Sequence, residues 1–420
     1  MTDPSRPTKA EHLETLYHIT QTINSSLDLD EVLNAVMDRV IEVTKAERGF
    51  LMLREDDGTL VFRVARGLDQ KDLEGAEFQV SKTILREVER SRKPLLTNNA
   101  QYDNRFKAGM SIVAMKLLSI LCVPILVKDR LIGLVYVDNR LQSGVFNEDD
   151  RDLLAAFASQ AGIAIENARL YRVAVEKGRM ERELQMAHEI QRGLLPDRIP
   201  TIPGYELAAD WRSAREVAGD FYDFIPLGDG RLGVVIADVS DKGVPAALFM
   251  AVARSLFRSS AVLSRSPEDA LHQTNHLILN DTQGSMFVTA YDVVLGPGGQ
   301  LQCVNAGHNC PLLYRAAPRT HEFLPRGGRP LGWFEELPVK TEHVKMAPGD
   351  VLVLYTDGVS EAENEAGEYF SEARLAQAVN GAHGQSAQGV MERINAAVDA
   401  FIGDAPPFDD HTLVVIRYVG

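Results

Sequence analysis

Aspartates gather at four places in the second half of the chain, each at the end of an apolar run. Asp220 and Asp223 lie in Ala218-Gly219-Asp220-Phe221-Tyr222-Asp223, and Asp238 follows Leu232-Gly233-Val234-Val235-Ile236-Ala237. Asp357 follows Val351-Leu352-Val353-Leu354-Tyr355-Thr356, and Asp409 and Asp410 precede Thr412-Leu413-Val414-Val415-Ile416. Short apolar runs of this kind read as buried strands, which puts the carboxylates at strand ends. If the strands are neighbours, several anions crowd together and repel unless cations intervene. Hard divalent ions with oxygen ligands are the usual answer, and paired metals among carboxylates commonly serve phosphate chemistry.

The elements that must position these groups belong to a chain of 420 residues, long enough for two or three domains. Apolar residues make up 45% and charged residues 25%, an ordinary globular composition. With 44 Lys+Arg against 59 Asp+Glu the net charge is −15, which argues against a nucleic-acid-binding surface. Cys122, Cys303 and Cys310 form no CxxC pair, so neither a disulfide framework nor a zinc site is expected, and a reducing cytoplasm fits best. Met1 to Ala10 shows no apolar signal-peptide core. The most hydrophobic stretch, Ile120 to Val127, is too short to span a bilayer and contains Pro124. The expectation is a soluble, cytoplasmic protein without a membrane partner.

Along the chain, residues 1–14 read as unstructured, and His12 to Thr22 has helical spacing. In Leu29 to Thr44, Leu29, Val32, Leu33, Val36, Val40 and Val43 fall on one helical face, with Asp28 or Asp30 as the cap. Gly49 to Leu53 and Leu60 to Ala65 are β-like runs around the turn Glu55-Asp56-Asp57-Gly58. Ser81 to Arg90 reads as helix and Pro94 to Thr97 as extended. Leu121 to Val127 and Leu131 to Val137 make a second hairpin around Lys128-Asp129-Arg130. A helical pattern then runs from Asp149 to about Leu195, softly interrupted by Gly178.

This order resembles a GAF sensor domain over residues 15–172. The residues that carry the resemblance are Leu29 to Leu33, Ala46-Glu47-Arg48-Gly49, Val123-Pro124-Ile125, Ile132-Gly133 and Val137-Asp138-Asn139-Arg140. Phe146, Asp150 and Gln160 to Tyr171 complete it. Asn139, Arg140, Phe146 and Asp150 resemble part of a signature of cyclic-nucleotide-binding GAF domains, with Arg140 in place of Lys and Arg151 in place of Glu. The resemblance implies a small-molecule or cyclic-nucleotide ligand; the plainer reading is that these four residues stabilise the fold. Residues 173–199 form a helical linker, where Leu184, Ala187, Gln191 and Leu194 have heptad-like spacing. Docking on the chain's own C-terminal domain and pairing in a homodimer both fit that stripe. Pro196, Pro200 and Pro203 end the helix.

From Gln191-Arg192-Gly193-Leu194-Leu195-Pro196 onward the chain resembles the bacterial PPM-type serine/threonine phosphatases of the SpoIIE/RsbU kind. The motifs follow in order: Glu216 to Asp223, Ala237 to Ala247, Met286 to Ala290, Val304 to Asn309, Pro330-Leu331-Gly332, Tyr355 to Ala362 and Asp409 to Leu413. The resemblance implies an α-β-β-α sandwich over residues 200–420 and an α+β chain overall. It also implies two Mn²⁺ or Mg²⁺ ions, with Asp238 bridging them and the Val239 carbonyl assisting. Asp357 and Asp409 would complete the shell of one ion, which makes Asp238, Asp357 and Asp409 the catalytic set. Asp220 and Asp223 are three apart and face opposite sides of a straight strand, so at most one is a direct ligand unless a turn intervenes. Asp410 is expected in hydrogen bonds around the ligands.

The implied mechanism uses a metal-activated water and no protein nucleophile. The leaving group would be protonated by a metal-bound water or by His308, a residue that equally suits a purely structural loop role. Ala218 departs from the usual Gly-Gly-Asp, and Asp241 stands where Gly is frequent, which bears on metal preference. The function so implied is a GAF-regulated phosphoserine/phosphothreonine phosphatase acting on a phosphorylated STAS-type anti-sigma-factor antagonist. The alternatives are a non-catalytic ligand-sensing scaffold and a GAF-linked nucleotide cyclase.

Overall fold

The computed structural model describes residues 29–55, 57–67, 80–100, 103, 117–228, 230–281 and 286–420. It divides into two units, Met1–Gly178 and Arg179–Gly420. The helix expected over His12 to Thr22, the unstructured start and the Asp28 cap lie outside the described residues, as do the side chains of Val32 and Val36.

The first unit is built on a five-stranded antiparallel sheet in the order β2-β1-β5-β4-β3. Its strands are β1 (Arg48–Arg54), β2 (Leu60–Gly67), β3 (Leu95–Thr97), β4 (Ser119–Val127) and β5 (Arg130–Asn139). Alternation along β1 sends Leu51 and Leu53 to one core and Phe50 and Met52 to another. Helix α1 (Leu29–Thr44) covers the first core with Leu33, Met37, Val40 and Ile41, and α2 (Lys82–Ser91) covers the second with Ile84 and Val88. The β4–β5 hairpin turns through Lys128 and Asp129, both left-handed at φ 46° and 63°, as a tight two-residue turn requires. A Cβ at Gly133 would lie 2.3 Å from the Met52 carbonyl, so only glycine lets β5 approach β1 there.

The four residues of the nucleotide-type signature all make structural contacts. The Asn139 side chain accepts from the Leu141 and Gln142 amides, and the Arg140 amide and guanidinium both donate to Glu47. Phe146 is buried in the helix-side core. Asp150 and Asn147 exchange side chain-to-amide bonds at 2.9 and 3.0 Å, a reciprocal cap on the following helix.

That helix, α3 (Glu148–Leu194), is 47 residues long and runs through Gly178 unbroken. Within the second unit its buried positions are not the heptad leucines. Leu184 and Leu194 are half-buried, whereas Gln191 is buried and Leu195, just past the helix, enters the core.

The second unit holds two five-stranded antiparallel sheets. One has the order β13-β10-β9-β8-β7, from Glu342–Lys345, Gln300–Ala306, Val288–Leu295, Leu232–Val239 and Phe221–Pro226. The other has the order β12-β11-β14-β15-β6, from Thr320–Phe323, Leu312–Arg315, Val351–Tyr355, His411–Tyr418 and Tyr205–Arg212. Leu352, Leu354, Val414 and Ile416 share a core with Val234, Ile236 and Val293 of the first sheet. The alternate residues Val351, Val353, Tyr355, Leu413 and Val415 meet α7 (Ser371–Asn380) and α8 (Ala387–Ile402) through Leu375, Val379, Val390 and Ile394. Helices α4 (Val244–Leu263) and α5 (Pro267–Asp281) cover the first sheet with residues such as Met250, Phe257 and Leu271. Both faces of the central strands are therefore covered, which is why they read as unbroken apolar runs. Helix α4 is long and apolar enough to cross a membrane by composition, but it lies against this core through Ala246, Phe249, Met250, Ala253 and Phe257.

Candidate metal centre and active site

The two sheets of the second unit bring their aspartate-bearing ends together. In the first sheet Phe221 pairs with Ala237, which sets Asp220 beside Asp238. In the second, Tyr355 pairs with Leu413 and the Thr356 amide donates to the Thr412 carbonyl at 3.1 Å. Asp357 then opens the short helix α6 (Asp357–Ser360), and Asp409 and Asp410 lead into β15. A bond across the sandwich locks the register of the two sheets. Asp220 Oδ2 accepts from Thr356 Oγ1 at 2.6 Å and from Thr412 Oγ1 at 2.7 Å.

The Asp410 carboxylate accepts the Ala214 amide at 2.9 Å and the Gly219 amide at 2.7 Å, and so pins the loop that carries Asp220. A Cβ at Gly358 would lie 2.0 Å from the Asp410 carbonyl, so the glycine after Asp357 is a packing requirement. Likewise a Cβ at Gly219 would crowd the Val239 carbonyl at 3.1 Å, so glycine there keeps that oxygen uncovered. Ala218 is fully buried and its extra methyl is accommodated. Asp241 adopts φ 76°, a conformation that favours glycine, and its side chain accepts from the Lys242 amide.

The crowding of the carboxylates is expressed in their electrostatics. Burial, then Asp238 and Asp410, push Asp220 well above the usual carboxylate range. Burial and then Asp357 raise Asp238 to about 7, against a hydrogen bond with Asp220, and Asp409 and Asp410 add to the rise. Asp357 is raised to about 6 by burial, Asp409 and Glu361, and Asp410 is raised chiefly by burial. The Lys242 ammonium lies 2.8 Å from Asp409 Oδ2 and also donates to the Phe408 carbonyl.

Asp223 stands apart from this group. It is buried on the helix side of the sheet, with Arg254 at 2.9 Å and Arg258 at 2.8 Å, two arginines one turn apart on α4. Of the candidate metal residues, the structure thus gathers Asp220, Asp238, Val239, Asp357, Asp409 and Asp410 and sends Asp223 elsewhere.

The donors are all hard oxygens, and their mutual repulsion is what a divalent ion relieves, so the residues fit Mn²⁺ or Mg²⁺. Among the described residues no three Asp, Glu, His or Cys side chains close round a single point, so the arrangement is an open cluster. His308 is buried and its pKa falls to about 4 because burial disfavours the cation. Its Nδ1 lies 2.8 Å from Thr289 Oγ1 and its amide donates to Asn305 Oδ1, so the side chain is tied into the loop by its own bonds. A cavity of about 550 Å³ borders Asp357, lined also by His308, Cys310, Arg326, Glu361 and Glu372.

Comparison with known proteins agrees with both halves. Residues 28–165 match the GAF domain, and residues 228–419 match the family of stage II sporulation protein E (SpoIIE). The chain carries a GAF domain and a SpoIIE-type PPM phosphatase domain. It is 27% identical over 236 residues to phosphoserine phosphatase RsbU of Bacillus subtilis, covering 56% of this chain and 70% of RsbU. It is 28% identical over 270 residues to protein IcfG of Synechocystis, covering 58% of this chain and 42% of IcfG. The PP2C domain of SiaA from Pseudomonas aeruginosa superposes with a TM-score of 0.53 at 25% identity, covering 58% of this chain and 99% of that domain.

Sequence reasoning missed four parts of the phosphatase domain's site. Thr356 and Thr412 sit inside quoted motifs, but nothing in their spacing shows that their hydroxyls bond to Asp220. Lys242 likewise lies in the turn after Asp238 without a visible sign of its reach to Asp409. Gln191 looks like a polar interruption of a heptad. It is instead a clamp: Nε2 donates to the Ala218 and Ala247 carbonyls at 2.9 and 3.2 Å, and Oε1 accepts the Ala218 amide at 3.1 Å.

Proposed function

We propose that the chain is a GAF-regulated, metal-dependent phosphoserine/phosphothreonine protein phosphatase whose substrate is a phosphorylated STAS-type anti-sigma-factor antagonist. The observation that carries the reading is the meeting of Asp220, Asp238, Asp357, Asp409 and Asp410 at one end of two sheets. That many carboxylates, with raised pKa values and Lys242 as the nearby ammonium, make a site built for added positive charge. The likeness to phosphoserine phosphatase RsbU supports a phosphoserine substrate.

Two hard divalent ions, when bound, supply the Lewis acidity that turns water into a nucleophile and offsets charge on the phosphoryl oxygens. Asp238, which feels the charges of Asp357, Asp409 and Asp410, would hold the ions together with Asp357 and Asp409. Asp220 is oriented by two threonine hydroxyls, and Asp410 keeps the Ala214–Gly219 backbone in place. The Lys242 ammonium, held on Asp409 Oδ2, keeps one positive charge beside the carboxylates. Burial pushes the Cys303 thiol up to about 12, which keeps that side chain a neutral core group. The same reading places the signal in the GAF domain, as a small molecule or cyclic nucleotide, and assigns residues 173–199 to the linker, between a 15–172 sensor and a 200–420 catalytic domain. A homodimer through the linker helix and a cytoplasmic location complete it.

Incubation with phosphorylated STAS proteins of the same genome tests the proposal. Phosphate release that requires Mn²⁺ or Mg²⁺ and stops with chelator is the expected result. Titration of the full chain with cyclic AMP and cyclic GMP, read as heat and as a change in rate, tests the ligand.

A further inference from the structure

One surface of the catalytic domain presents aromatic side chains on a rigid support. Trp333 is 57% exposed and Phe334 40% exposed, a large apolar investment at a surface turn. The two rings stack at 5.9 Å with planes 11° apart, and the Phe287 ring lies 4.5 Å from that of Trp333. The Arg329 guanidinium caps the row, 4.7 Å from the Phe334 ring centre, and no described carboxylate pairs with it.

The turn is held from beneath. Asn275, a buried residue of α5, accepts the Gly332 amide at 2.8 Å and donates to the Phe334 carbonyl at 2.9 Å, gripping the backbone on both sides of Trp333. Gly332 has φ 82°, and a Cβ there would lie 2.5 Å from Ile278, so the turn packs directly on that helix. Val288 and Leu331 exchange backbone bonds at 2.9 and 2.7 Å. An exposed tryptophan fixed in this way loses little further entropy on binding.

The row is also tied to the carboxylate site. The Ser240 amide donates to the Phe287 carbonyl at 2.9 Å, and the Phe287 amide donates to Ser240 Oγ at 2.9 Å. Ser240 is two residues beyond Asp238, and two extended residues span no more than about 7 Å. The aromatic row therefore lies within reach of a macromolecule that places a phosphate among the aspartates.

We infer that Phe287, Trp333, Phe334 and Arg329 form a docking ledge for the protein substrate, taking an apolar side chain on the rings and a neighbouring carboxylate on Arg329. The inference rests on the phosphatase reading above. Its chemistry is that of an interface anchor, where tryptophan and arginine are enriched. It makes recognition of the substrate protein separable from hydrolysis of its phosphate ester.

The test compares wild type, Trp333→Ala, Trp333→Phe and Arg329→Glu in full-length protein with Mn²⁺. Each is assayed on p-nitrophenyl phosphate, on phosphorylated casein and on phosphorylated STAS proteins. We expect Trp333→Ala to lower kcat/KM on the phosphoprotein that wild type accepts by roughly 10- to 100-fold, mainly through KM, as loss of a central anchor does. Activity on p-nitrophenyl phosphate stays within a factor of two (~2) of wild type, and Trp333→Phe recovers part of the protein activity. Equal losses on both substrates, or no loss on the phosphoprotein, overturn the ledge. Wild-type protein that hydrolyses none of the three overturns the phosphatase reading and the ledge with it.

Discussion

Replacing Asp238 by Asn should abolish turnover while making the metal-free protein more stable, and the size of that gain depends on pH. Burial and neighbouring carboxylates raise the Asp238 pKa from 3.8 to about 7. The metal-free native state therefore holds a proton that the unfolded chain has already released between roughly pH 4 and 7. Stability falls as pH rises through that window, and above the folded pKa the full penalty applies. Three pKa units would correspond to about 4 kcal/mol, reduced where the metal-free cluster relaxes and takes up water. A gain of roughly 1–3 kcal/mol for Asp238→Asn at pH 8, shrinking to near zero (~0) at pH 4, is the expected result. Urea denaturation of metal-free wild type and variant, followed by the C-terminal domain's transition across pH 4–8, measures it. In the same variant, Mn²⁺-dependent turnover should fall roughly 10³-fold or more. A variant whose relative stability does not change with pH would refute the crowding argument, and wild-type turnover would refute the role of Asp238.

Alanine at Asp357 or Asp409 should weaken Mn²⁺ binding by calorimetry and cut turnover severely. Asp410→Ala should show a smaller loss of turnover together with faster amide exchange at Ala214 and Gly219, whose N–H groups it accepts. Comparable kinetic losses at Asp409 and Asp410 without that exchange would put Asp410 among the direct ligands. Asp223→Ala leaves Arg254 and Arg258 without their shared carboxylate and should cost roughly 3 kcal/mol of stability. Its Mn²⁺ affinity should stay near that of wild type, and a large drop in affinity would return Asp223 to the metal site. Gln191→Leu keeps the size of the side chain but leaves the Ala218 amide and two carbonyls short of partners, so basal turnover and its response to dimer state or GAF ligand should both change. Residues 196–420 alone should bind Mn²⁺ yet lose regulated turnover. Leu184→Glu and Leu194→Glu, at half-buried positions, should do so only in part. Unchanged rates in all of these would reduce the helix to a tether.

Much of this was legible in the sequence because the central strands are covered on both faces. Val351 to Tyr355 and Leu413 to Ile416 had to be apolar at every position, and the first polar residue beyond each run marked the strand end where the carboxylates meet. The first unit's hairpins were equally plain, since Gly58 and the Lys128–Asp129 turn separate short apolar runs. What stayed hidden depends on pairings distant in sequence. Which way Asp223 points is decided by Arg254 and Arg258, about thirty residues away, and what holds Asp220 by hydroxyls contributed by the other sheet. Heptad counting rewards apolar residues, so it favoured Leu184 and Leu194 over Gln191, whose burial is compensated by three backbone bonds. The Trp333 row was invisible because an exposed tryptophan breaks no pattern; only its buried Asn275 support marks it as built.

The most direct test of the central claim is phosphate release from a phosphorylated STAS protein of the same genome by full-length wild type and Asp238→Asn, each with Mn²⁺ and with excess chelator. Release by wild type with Mn²⁺ alone, and by neither protein under any other condition, is the predicted result. Release that persists in chelator, or in Asp238→Asn with Mn²⁺, would contradict a metal site built on these aspartates.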